Sequence, residues 1–461
     1  MATITFAGAA GEVTGSRHML GLPGGKILLD CGLFQGHRHD AEAKNRRFIF
    51  NPREISAVIL SHAHLDHTGN LPTLVKRGFK GTIYCTRATA ELVAVLLADS
   101  AAIQRKDAEF FNKKHPSARI DPLYTQADIA PVTALLRAVD YGERFSPVPN
   151  SSARLTEAGH ILGSAQTELD WQENGAQRRL IFTGDLGRRG MPLLRDPEQP
   201  HAADTVIIEA TYGNRVHAPT GNAEANLKNI IRRTVNRGGK VFIPAFALGR
   251  AQEIASLLEN LHAEGALGRV PVYVDSPLAA KTTEVFSKNR ALLDDEFHRD
   301  FKNGGPFNDG WVRYISSQAD SIKLNGMTGP AIIIAPSGMC EGGRILHHLR
   351  NNLPDPRNTV VLAGYQAEGT LGRKLSQGAN EVPVFGLPVK VNAEVITAHD
   401  YSAHADSSEL LDYIKNFSLP PERVFLVHGE PDAARALCAK MNAAHCAGKV
   451  TPAAYAETEI I

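Results

Sequence analysis

Short apolar runs rich in β-branched residues alternate along this chain with longer amphipathic stretches. Short apolar runs are typical of buried strands, and an apolar pattern that repeats about every 3.6 residues is typical of helices. Their alternation along the chain predicts an α/β architecture. Five polar residues each end or closely follow a predicted strand: Asp30, His62, Asp185, Glu209 and His428. Ligands of open α/β sheets collect at strand ends, so we expect a functional site there.

The apolar runs and amphipathic stretches translate into specific elements. We predict strands at Lys26–Asp30, Ala57–Ser61, Thr82–Cys85, Arg179–Thr183, Thr205–Glu209, Lys240–Ile243, Val270–Val274, Ala331–Ala335, Thr359–Ala363, Ala393–Thr397 and Val424–Val427. We predict helices at Asn70–Arg77, Arg87–Leu97, Glu224–Arg237, Ala251–His262, Ser407–Lys415 and Pro431–Met441.

Charge and size restrict the function classes. The 461 residues carry a net charge of +1, and at about 150 residues per domain they suggest two or three domains. A protein that holds nucleic acid by bulk charge is strongly basic, so a polyanion would have to be held here by a local cluster or a metal. Aromatic residues make up only 7% of the chain, which leaves little material for a base-stacking platform.

Cysteine usage and the N-terminus predict the compartment. The five cysteines are scattered and never form a C-x-x-C pair, which excludes a cysteine zinc ribbon and indicates a reducing environment. The N-terminus lacks a signal-peptide pattern, and no apolar run approaches the ~18 residues of a membrane span. We therefore expect a soluble, cytoplasmic protein with no membrane partner.

The strongest chemical signal is the run Ser61-His-Ala-His-Leu-Asp-His67. Four ligand-type side chains after a strand are costly to bury unless a cation neutralises and orders them. Imidazole and carboxylate suit zinc, with manganese or iron as alternatives. In an extended segment His62 and His64 point to the same side, whereas Asp66 and His67 follow the bend and can face a second ion.

Three later residues can complete the coordination. His160 stands between small residues, and Asp185 and His428 follow apolar strands. A carboxylate has two oxygens, so Asp185 can bridge two ions. Each of the three could instead be an ordinary hydrogen-bonded strand-end residue, but together with the first run they predict a two-metal site.

These residues resemble the metallo-β-lactamase superfamily of metal-dependent hydrolases, and further segments resemble its β-CASP branch of nucleic-acid nucleases. The β-CASP resemblance is carried by residues 29–36, 209–215, 244–250, 275–279, 336–344, 364–373 and 402–406. The resemblance implies a four-layer αβ/βα sandwich with an inserted α/β β-CASP domain. We accordingly predict a metallo-β-lactamase domain at 1–212 and 391–461, and a β-CASP domain at 213–390.

The resemblance also implies roles for individual residues. One zinc ion (Zn2+) would take His62, His64 and His160, and a second would take Asp66, His67 and His428, with Asp185 bridging. Manganese is the alternative metal. Asp30 would orient the site without ligating, and Glu209 and His404 match the family's acidic and histidine motifs.

The implied reaction is hydrolysis of RNA by a hydroxide that two zinc ions activate, leaving a 5′-phosphate and a 3′-hydroxyl. His404 would act as general acid and Glu209 would hold its tautomer, with Asp66 and Asp30 completing the catalytic set. The cleavage could be endonucleolytic, 5′-to-3′ exonucleolytic or both. We also expect phosphate contacts at Ser337, Gly338, Arg344, Arg373 and Ser402.

Three alternatives remain at this point. A small-molecule hydrolase of the same superfamily would leave the insertion and the His404 motif without a purpose. A DNA-acting β-CASP nuclease is the nearer competitor, but the resemblance implies that such enzymes usually lack the C-terminal ligand matched by His428. A retired scaffold subunit would have lost ligands, and none is lost here. The expected partner is single-stranded RNA, and a homodimer is compatible with the sequence.

Overall fold

The computed structural model describes residues 1–36, 38–217, 223–301, 307, 310–364, 366, 369–398 and 402–461. Two compact units are formed, the first by Met1–Arg189, Asp196–Val216 and His404–Ile461, and the second by Gly190–Arg195 and His217–Ala403. Of the predicted β-CASP segment 364–373, Tyr365, Ala367 and Glu368 lie outside the described residues.

The described chain contains the following elements. The strands are β1 Thr3–Phe6, β2 His18–Leu22, β3 Gly25–Leu29, β4 Ile55–Ile59, β5 Thr82–Thr86, β6 Leu136–Val139, β7 Arg144–Phe145, β8 Ser151–Glu157, β9 Ala165–Glu173, β10 Ala176–Phe182, β11 Thr205–Glu209, β12 Val241–Pro244, β13 Val272–Val274, β14 Val312–Tyr314, β15 Ile332–Ala335, β16 Thr359–Ala363, β17 Glu381–Val384, β18 Leu387–Lys390, β19 Glu394–Ala398, β20 Arg423–Val427, β21 Lys449–Pro452 and β22 Thr458–Ile460. The α-helices are α1 Arg38–Arg46, α2 Leu65–Thr68, α3 Leu71–Lys76, α4 Arg87–Lys114, α5 Ile129–Thr133, α6 Ala223–Asn236, α7 Arg250–Ala263, α8 Pro277–Lys288, α9 Asp295–Asp300, α10 Gln318–Gly326, α11 Ile345–Asn352, α12 Leu371–Ser376, α13 Ser407–Lys415 and α14 Pro431–Ala443. No helix in these described ranges is both long and apolar enough to cross a membrane.

The first unit contains two seven-stranded sheets, in the orders β22-β1-β2-β3-β4-β5-β6 and β21-β20-β11-β10-β9-β8-β7. Their facing sides share one buried apolar layer, to which Leu20 and Ile59 contribute from the first sheet and Leu169 and Phe182 from the second. Helices α13 and α14 cover the outer side of the second sheet, and α4 packs on β5 and β6 of the first. This helix–sheet–sheet–helix order confirms the predicted four-layer sandwich.

Parallel pairing brings the polar strand ends together. In the first sheet β3 and β4 are parallel neighbours, so Asp30 and the run that begins at Ser61 leave the same edge. In the second sheet β10, β11 and β20 are consecutive parallel strands, which places Asp185, Glu209 and His428 near adjacent carboxyl ends. Asp185 and His428 lie just beyond their strands, where the backbone turns away and side chains can converge.

The second unit is built on a six-stranded parallel sheet in the order β14-β13-β15-β12-β16-β19. Separate apolar clusters cover its two faces, one involving α6 and α7 and the other α11 and α12. The inserted α/β domain is therefore as predicted in class. Its compact unit ends later than the predicted boundary of 390, because β19 pairs with β16 and so belongs to this sheet.

Candidate metal centre

Three imidazoles and one carboxylate converge at the first cluster. Nε2 of His62 lies 3.0 Å from Nδ1 of His64, which lies 3.4 Å from Nε2 of His160. Oδ2 of Asp185 lies 3.6 Å from Nε2 of both His62 and His160. The four ligand atoms lie within 4.8 Å of one another, and all but His64 are fully buried.

Asp66, His67 and His428 form the second cluster. Helix α2 begins directly after His64, so Asp66 and His67 occupy its first turn, where the ring centroid of His67 lies 4.0 Å from that of His62. Nε2 of His67 lies 3.2 Å from Nε2 of His428, and Oδ2 of Asp66 lies 3.5 Å from that same atom. The ligand atoms of these three groups likewise lie within 4.8 Å of one another.

Asp185 lies between the two clusters. Its Oδ2 faces the first cluster, whereas its Oδ1 lies 3.4 Å from Nε2 of His67 and from Nδ1 of His428. The side chain is 2% exposed, and Oδ1 has no hydrogen-bond partner among the described residues. A buried carboxylate oxygen of this kind is costly unless a cation neutralises it. The nitrogen and oxygen donors of each cluster fit a divalent metal, so the site is a metal site.

Asp30 holds the second cluster without joining it. Its Oδ1 accepts the N–H of Ser61 at 2.7 Å, and its Oδ2 accepts the hydroxyls of Ser61 and Ser16. Oδ2 also lies 2.7 Å from Nδ1 of His67. A carboxylate on Nδ1 selects the tautomer whose Nε2 lone pair faces the cluster, and it makes that nitrogen more basic.

The protonation states suit a bound cation. Burial lowers the pKa of His62 and of His160 well below the usual range, and the pKa of His64 to about 4. Burial alone would raise the pKa of Asp185, but the neighbouring His428, His67 and His62 lower it well below the usual value. The first cluster therefore presents neutral imidazoles and an ionised carboxylate, which are the forms that ligate metals. In the second cluster burial opposes a charge on His67, but Asp185, Asp30 and Asp66 outweigh it and raise the pKa of His67 well above its usual value, so a cation bound there would displace a proton.

His404 and Glu209 lie beside the first cluster. Nδ1 of His404 lies 3.1 Å from each oxygen of Glu209, and its ring centroid lies 4.5 Å from that of His160. Glu209 is completely buried, whereas the His404 side chain is 21% exposed. Burial opposes a charge on His404, but Glu209 outweighs it and raises the pKa of His404 to about 9. This pair can hold a proton at a point that solvent reaches.

The five predicted phosphate contacts all lie in the second unit. Ser337 and Gly338 belong to the loop after β15, where the Ser337 hydroxyl accepts the N–H groups of Glu341 and Gly342. Arg373 lies on α12, and Ser402 is buried. Nε of Arg373 and Oγ of Ser402 are buried without a hydrogen-bond partner in the described parts of the chain.

Arg344 is more deeply engaged than expected. Its Nη1 donates to Asp275 at 2.7 Å and to the Ile315 carbonyl, and its Nη2 donates to the Ser316 carbonyl. Asp275, which is fully buried, also lies 2.7 Å from Nε2 of His348. Both terminal nitrogens of Arg344 are thus held inside the second unit, which weakens the expectation that this guanidinium faces a phosphate.

Two supporting residues were missed by sequence reasoning. The Thr211 hydroxyl lies 3.1 Å from Nδ1 of His428 and donates to the carbonyl of that residue. Glu409 forms a capping box with Asp406 at the start of α13. The pattern Asp406-Ser-Ser-Glu409 was a readable signal for that cap.

Comparison with known families accounts for most of the chain. The metallo-beta-lactamase superfamily model matches residues 18–142, and the Beta-Casp domain model matches residues 251–375. A model described as the Zn-dependent metallo-hydrolase RNA specificity domain matches residues 388–450.

Named relatives span the same architecture. The chain is 39% identical to Ribonuclease TTHA0252 of Thermus thermophilus over 433 residues, which are 93% of this chain and 94% of that protein. It is 33% identical to Transcription termination factor FttA of Methanosarcina mazei, covering 93% of this chain and 67% of that protein. FttA of Methanocaldococcus jannaschii is also 33% identical, with the same coverage.

A solved structure supports the fold alone. A protein of unknown function from Enterococcus faecalis V583 matches with a TM-score of 0.55 at 11% identity, with both chains covered in full. The family models and the long relatives agree with the four-layer sandwich and its inserted α/β domain. The chain belongs to the metallo-β-lactamase superfamily of metal-dependent hydrolases, in its β-CASP branch.

Proposed function

We propose that this protein is a metal-dependent ribonuclease that hydrolyses RNA phosphodiester bonds and leaves 5′-phosphate and 3′-hydroxyl ends. The observation that carries the proposal is the position of Asp185, which presents one oxygen to each of two ligand clusters. The names of the relatives, a ribonuclease and a transcription termination factor, support RNA chemistry. His428, which lies in the second cluster, favours RNA over DNA as the resemblance implies.

The ligand assignment follows the two clusters. His62, His64 and His160 would hold one cation, and Asp66, His67 and His428 a second, with Asp185 shared. Two zinc ions, or manganese in their place, would lower the pKa of water and offset the charge of the phosphate. Asp30 keeps Nε2 of His67 aimed at the cluster by holding Nδ1.

His404 supplies the proton for the leaving group. Glu209 accepts the Nδ1 hydrogen, so Nε2 is the atom free to face the substrate. A water loses one proton to solvent as its oxygen bonds to phosphorus, the bond from phosphorus to the 3′-oxygen breaks, and the proton from Nε2 completes the 3′-hydroxyl; the ring then takes up a proton from solvent. Glu209 stabilises the imidazolium before transfer and keeps the ring oriented afterwards.

The second unit would position the strand. Arg373 and Ser402 carry buried polar atoms without partners in the described chain and are the better candidates for phosphate contact. Ser337 and Gly338 would contribute the turn after β15, and Arg344 would act by holding that turn rather than by touching phosphate. We place the reaction in the cytoplasm, on single-stranded RNA, with a homodimer as a further proposal.

A substrate panel tests the function. Protein stripped with a chelator and restored with zinc is given a single-stranded RNA, a DNA of the same sequence and a small thioester. We expect cleavage of the RNA at least about tenfold faster than that of the DNA, and no turnover of the thioester. Faster DNA cleavage would favour the DNA-acting alternative, and thioester turnover alone would favour the small-molecule hydrolase.

A further inference from the structure

Two loop segments of the first unit run side by side at the metal centre. One begins at Asp185 and continues through Gly187 to Arg189, and the other begins at His404. Gly187 and His404 form an antiparallel bridge, and the Ala405 N–H donates to the Leu186 carbonyl at 2.8 Å. The position of His404 relative to Asp185 therefore depends on how firmly these two segments are held together.

Glu209 holds the two segments on the side of the metal centre. Its Oε1 accepts the Leu186 N–H at 2.7 Å, and both its oxygens contact Nδ1 of His404 at 3.1 Å. One buried carboxylate thus touches both segments. This contact fixes the ring of His404, but it leaves the far ends of the segments, around Arg189 and Asp406, to be held by other groups.

Glu409 holds those far ends. Its Oε1 accepts the N–H of Arg189 at 3.2 Å, and its Oε2 accepts the N–H of Asp406 at 2.9 Å. Nε of Arg188, a residue that is 5% exposed, lies 3.8 Å from Oε2. The carboxylate therefore bonds to a residue four positions after Asp185 and to one two positions after His404.

We infer that Glu409 is a positioning residue that holds His404 in register with Asp185 for proton donation to the leaving group. Glu209 and Glu409 form a clamp of two carboxylates on the paired segments, one at the metal centre and one at the start of α13. This inference rests on the proposed ribonuclease function. A small shift of a positioned proton donor is enough to slow the reaction, since alignment governs the transfer.

The competing interpretation is that Glu409 only caps α13. It does close a capping box with Asp406, whose Oδ1 accepts the N–H groups of Ser408 and Glu409. A cap alone would change stability and leave the chemistry unaltered. The bond to Arg189 has no place in a capping box, because that residue is remote in sequence from α13.

The experiment compares two substrates that differ in the leaving group. RNA releases a 3′-alkoxide that needs a proton, whereas uridine 5′-(p-nitrophenyl phosphate) releases p-nitrophenolate, a stable anion that does not. The variants are Glu409→Gln, which keeps the size and removes the charge, and Asp412→Asn as the control. Asp412 is an exposed carboxylate on the same helix. Bound zinc per chain and the unfolding temperature are measured for each.

For Glu409→Gln we expect kcat on RNA to fall about tenfold or more, but by no more than the 10²- to 10⁴-fold contribution of a full general acid. KM, bound zinc and turnover of the p-nitrophenyl ester should stay within about twofold of wild type. Asp412→Asn should match wild type on both substrates. In a His404→Ala background, Glu409→Gln should cause no further loss on RNA, because both changes remove the same step.

Unchanged kcat on RNA, equal losses on both substrates, loss of zinc, or additive losses in the double variant would each overturn the inference. If Glu409→Gln does not fold, Glu409→Asp, which keeps the charge, is compared in the same assays and must show the same selective loss on RNA. A wild type that cuts no RNA would overturn the proposed function as well. An active wild type with an unaffected variant would overturn only the role of Glu409.

Discussion

Nδ1 of His404 lies 3.1 Å from both carboxylate oxygens of Glu209, a residue with no solvent exposure. A buried carboxylate is tolerated when it is paired, and here the partner is a ring that solvent reaches on its other side. The pair thus combines a fixed base with an accessible acid. This relationship distinguishes the site from a purely structural metal centre, since structural sites need no proton donor.

Glu209→Gln should lower kcat on RNA by about 10²-fold, because the amide cannot stabilise the imidazolium of His404. Bound zinc should be retained, since Glu209 belongs neither to the three histidines assigned to the first ion nor to the aspartate and two histidines assigned to the second. Steady-state kinetics and metal analysis measure the two effects. Glu381→Gln, at an exposed position of β17, is the control. A variant as active as wild type would contradict the acid role of the pair.

Gly32→Ala should disrupt the second cluster selectively. A Cβ at position 32 would lie 1.5 Å from the Asp66 carbonyl oxygen, which belongs to backbone and cannot move aside cheaply. The turn that carries Asp66 and His67 must then shift, so under the proposed two-ion assignment bound zinc should fall by about one ion per chain. Gly326→Ala is the control, because a Cβ there meets no atom within 4 Å. Two zinc ions retained in Gly32→Ala would contradict the assignment.

His18→Leu should stabilise the protein. Both ring nitrogens of His18 are buried without a partner among the described residues, and its ring lies edge-on to Phe6 and Phe182. An unpaired buried polar group lowers the free energy of unfolding by about 1–3 kcal/mol, and leucine has no polar atom that would carry this cost. Urea unfolding at pH 7 measures the gain. A loss of stability would show that the two nitrogens have partners.

The gain from His18→Leu should grow in acid. Burial, with smaller effects of His67 and His428, lowers the pKa of His18 to about 3, whereas an unfolded histidine titrates near pH 6.5. Between about pH 6.5 and 3 the unfolded state binds a proton that the folded state does not, so wild type loses up to about 1.4 kcal/mol per pH unit. His18→Asn also removes the titrating group but keeps a buried polar side chain. Relative to wild type it should therefore gain stability as the pH falls, with no gain at pH 7. A gain that is equal at pH 7 and pH 5 would contradict it.

Metal removal should destabilise the first unit. The carboxylates of Asp30, Asp66 and Asp185 are gathered around buried imidazoles, and a cation would offset their charge. A ligand at 100 times its Kd stabilises by about 2.7 kcal/mol. We expect chelation to lower the unfolding temperature and added zinc to restore it, with no zinc response in Asp185→Asn. Identical unfolding curves with and without chelator would contradict a folded metal site.

Sequence patterns located the elements that carry the site because those strands are buried on both faces. Continuous apolar runs predicted β11 and β16 at their observed bounds, and an amphipathic stretch did the same for α13. Strand β9 was missed, since it alternates with polar residues such as Glu168 and Asp170. These are buried in the structure through pairing with Arg154 on β8 and Arg179 on β10, the two strands that flank β9.

In the candidate site, too, some features could be predicted from the sequence and others depend on tertiary contacts. Ligand-type residues could be recognised because their chemistry is visible in the side chain, and strand order then explains why they meet. The hydrogen bonds of Arg344 could not be foreseen, because a guanidinium after a strand looks free until Asp275 is placed beside it. The sequence signals the cap formed by Glu409, but not its bond to Arg189, because that bond depends on tertiary pairing of two loops.

The ends of the cleaved RNA test the central claim most directly. An end-labelled single-stranded RNA is incubated with zinc-restored wild type, with chelated wild type and with Asp185→Asn, and the new termini are identified. We expect 5′-phosphate and 3′-hydroxyl ends from the zinc-restored wild type alone. Termini bearing 2′,3′-cyclic phosphate, equal cleavage by Asp185→Asn, or no cleavage with any divalent metal would contradict a metal-dependent ribonuclease.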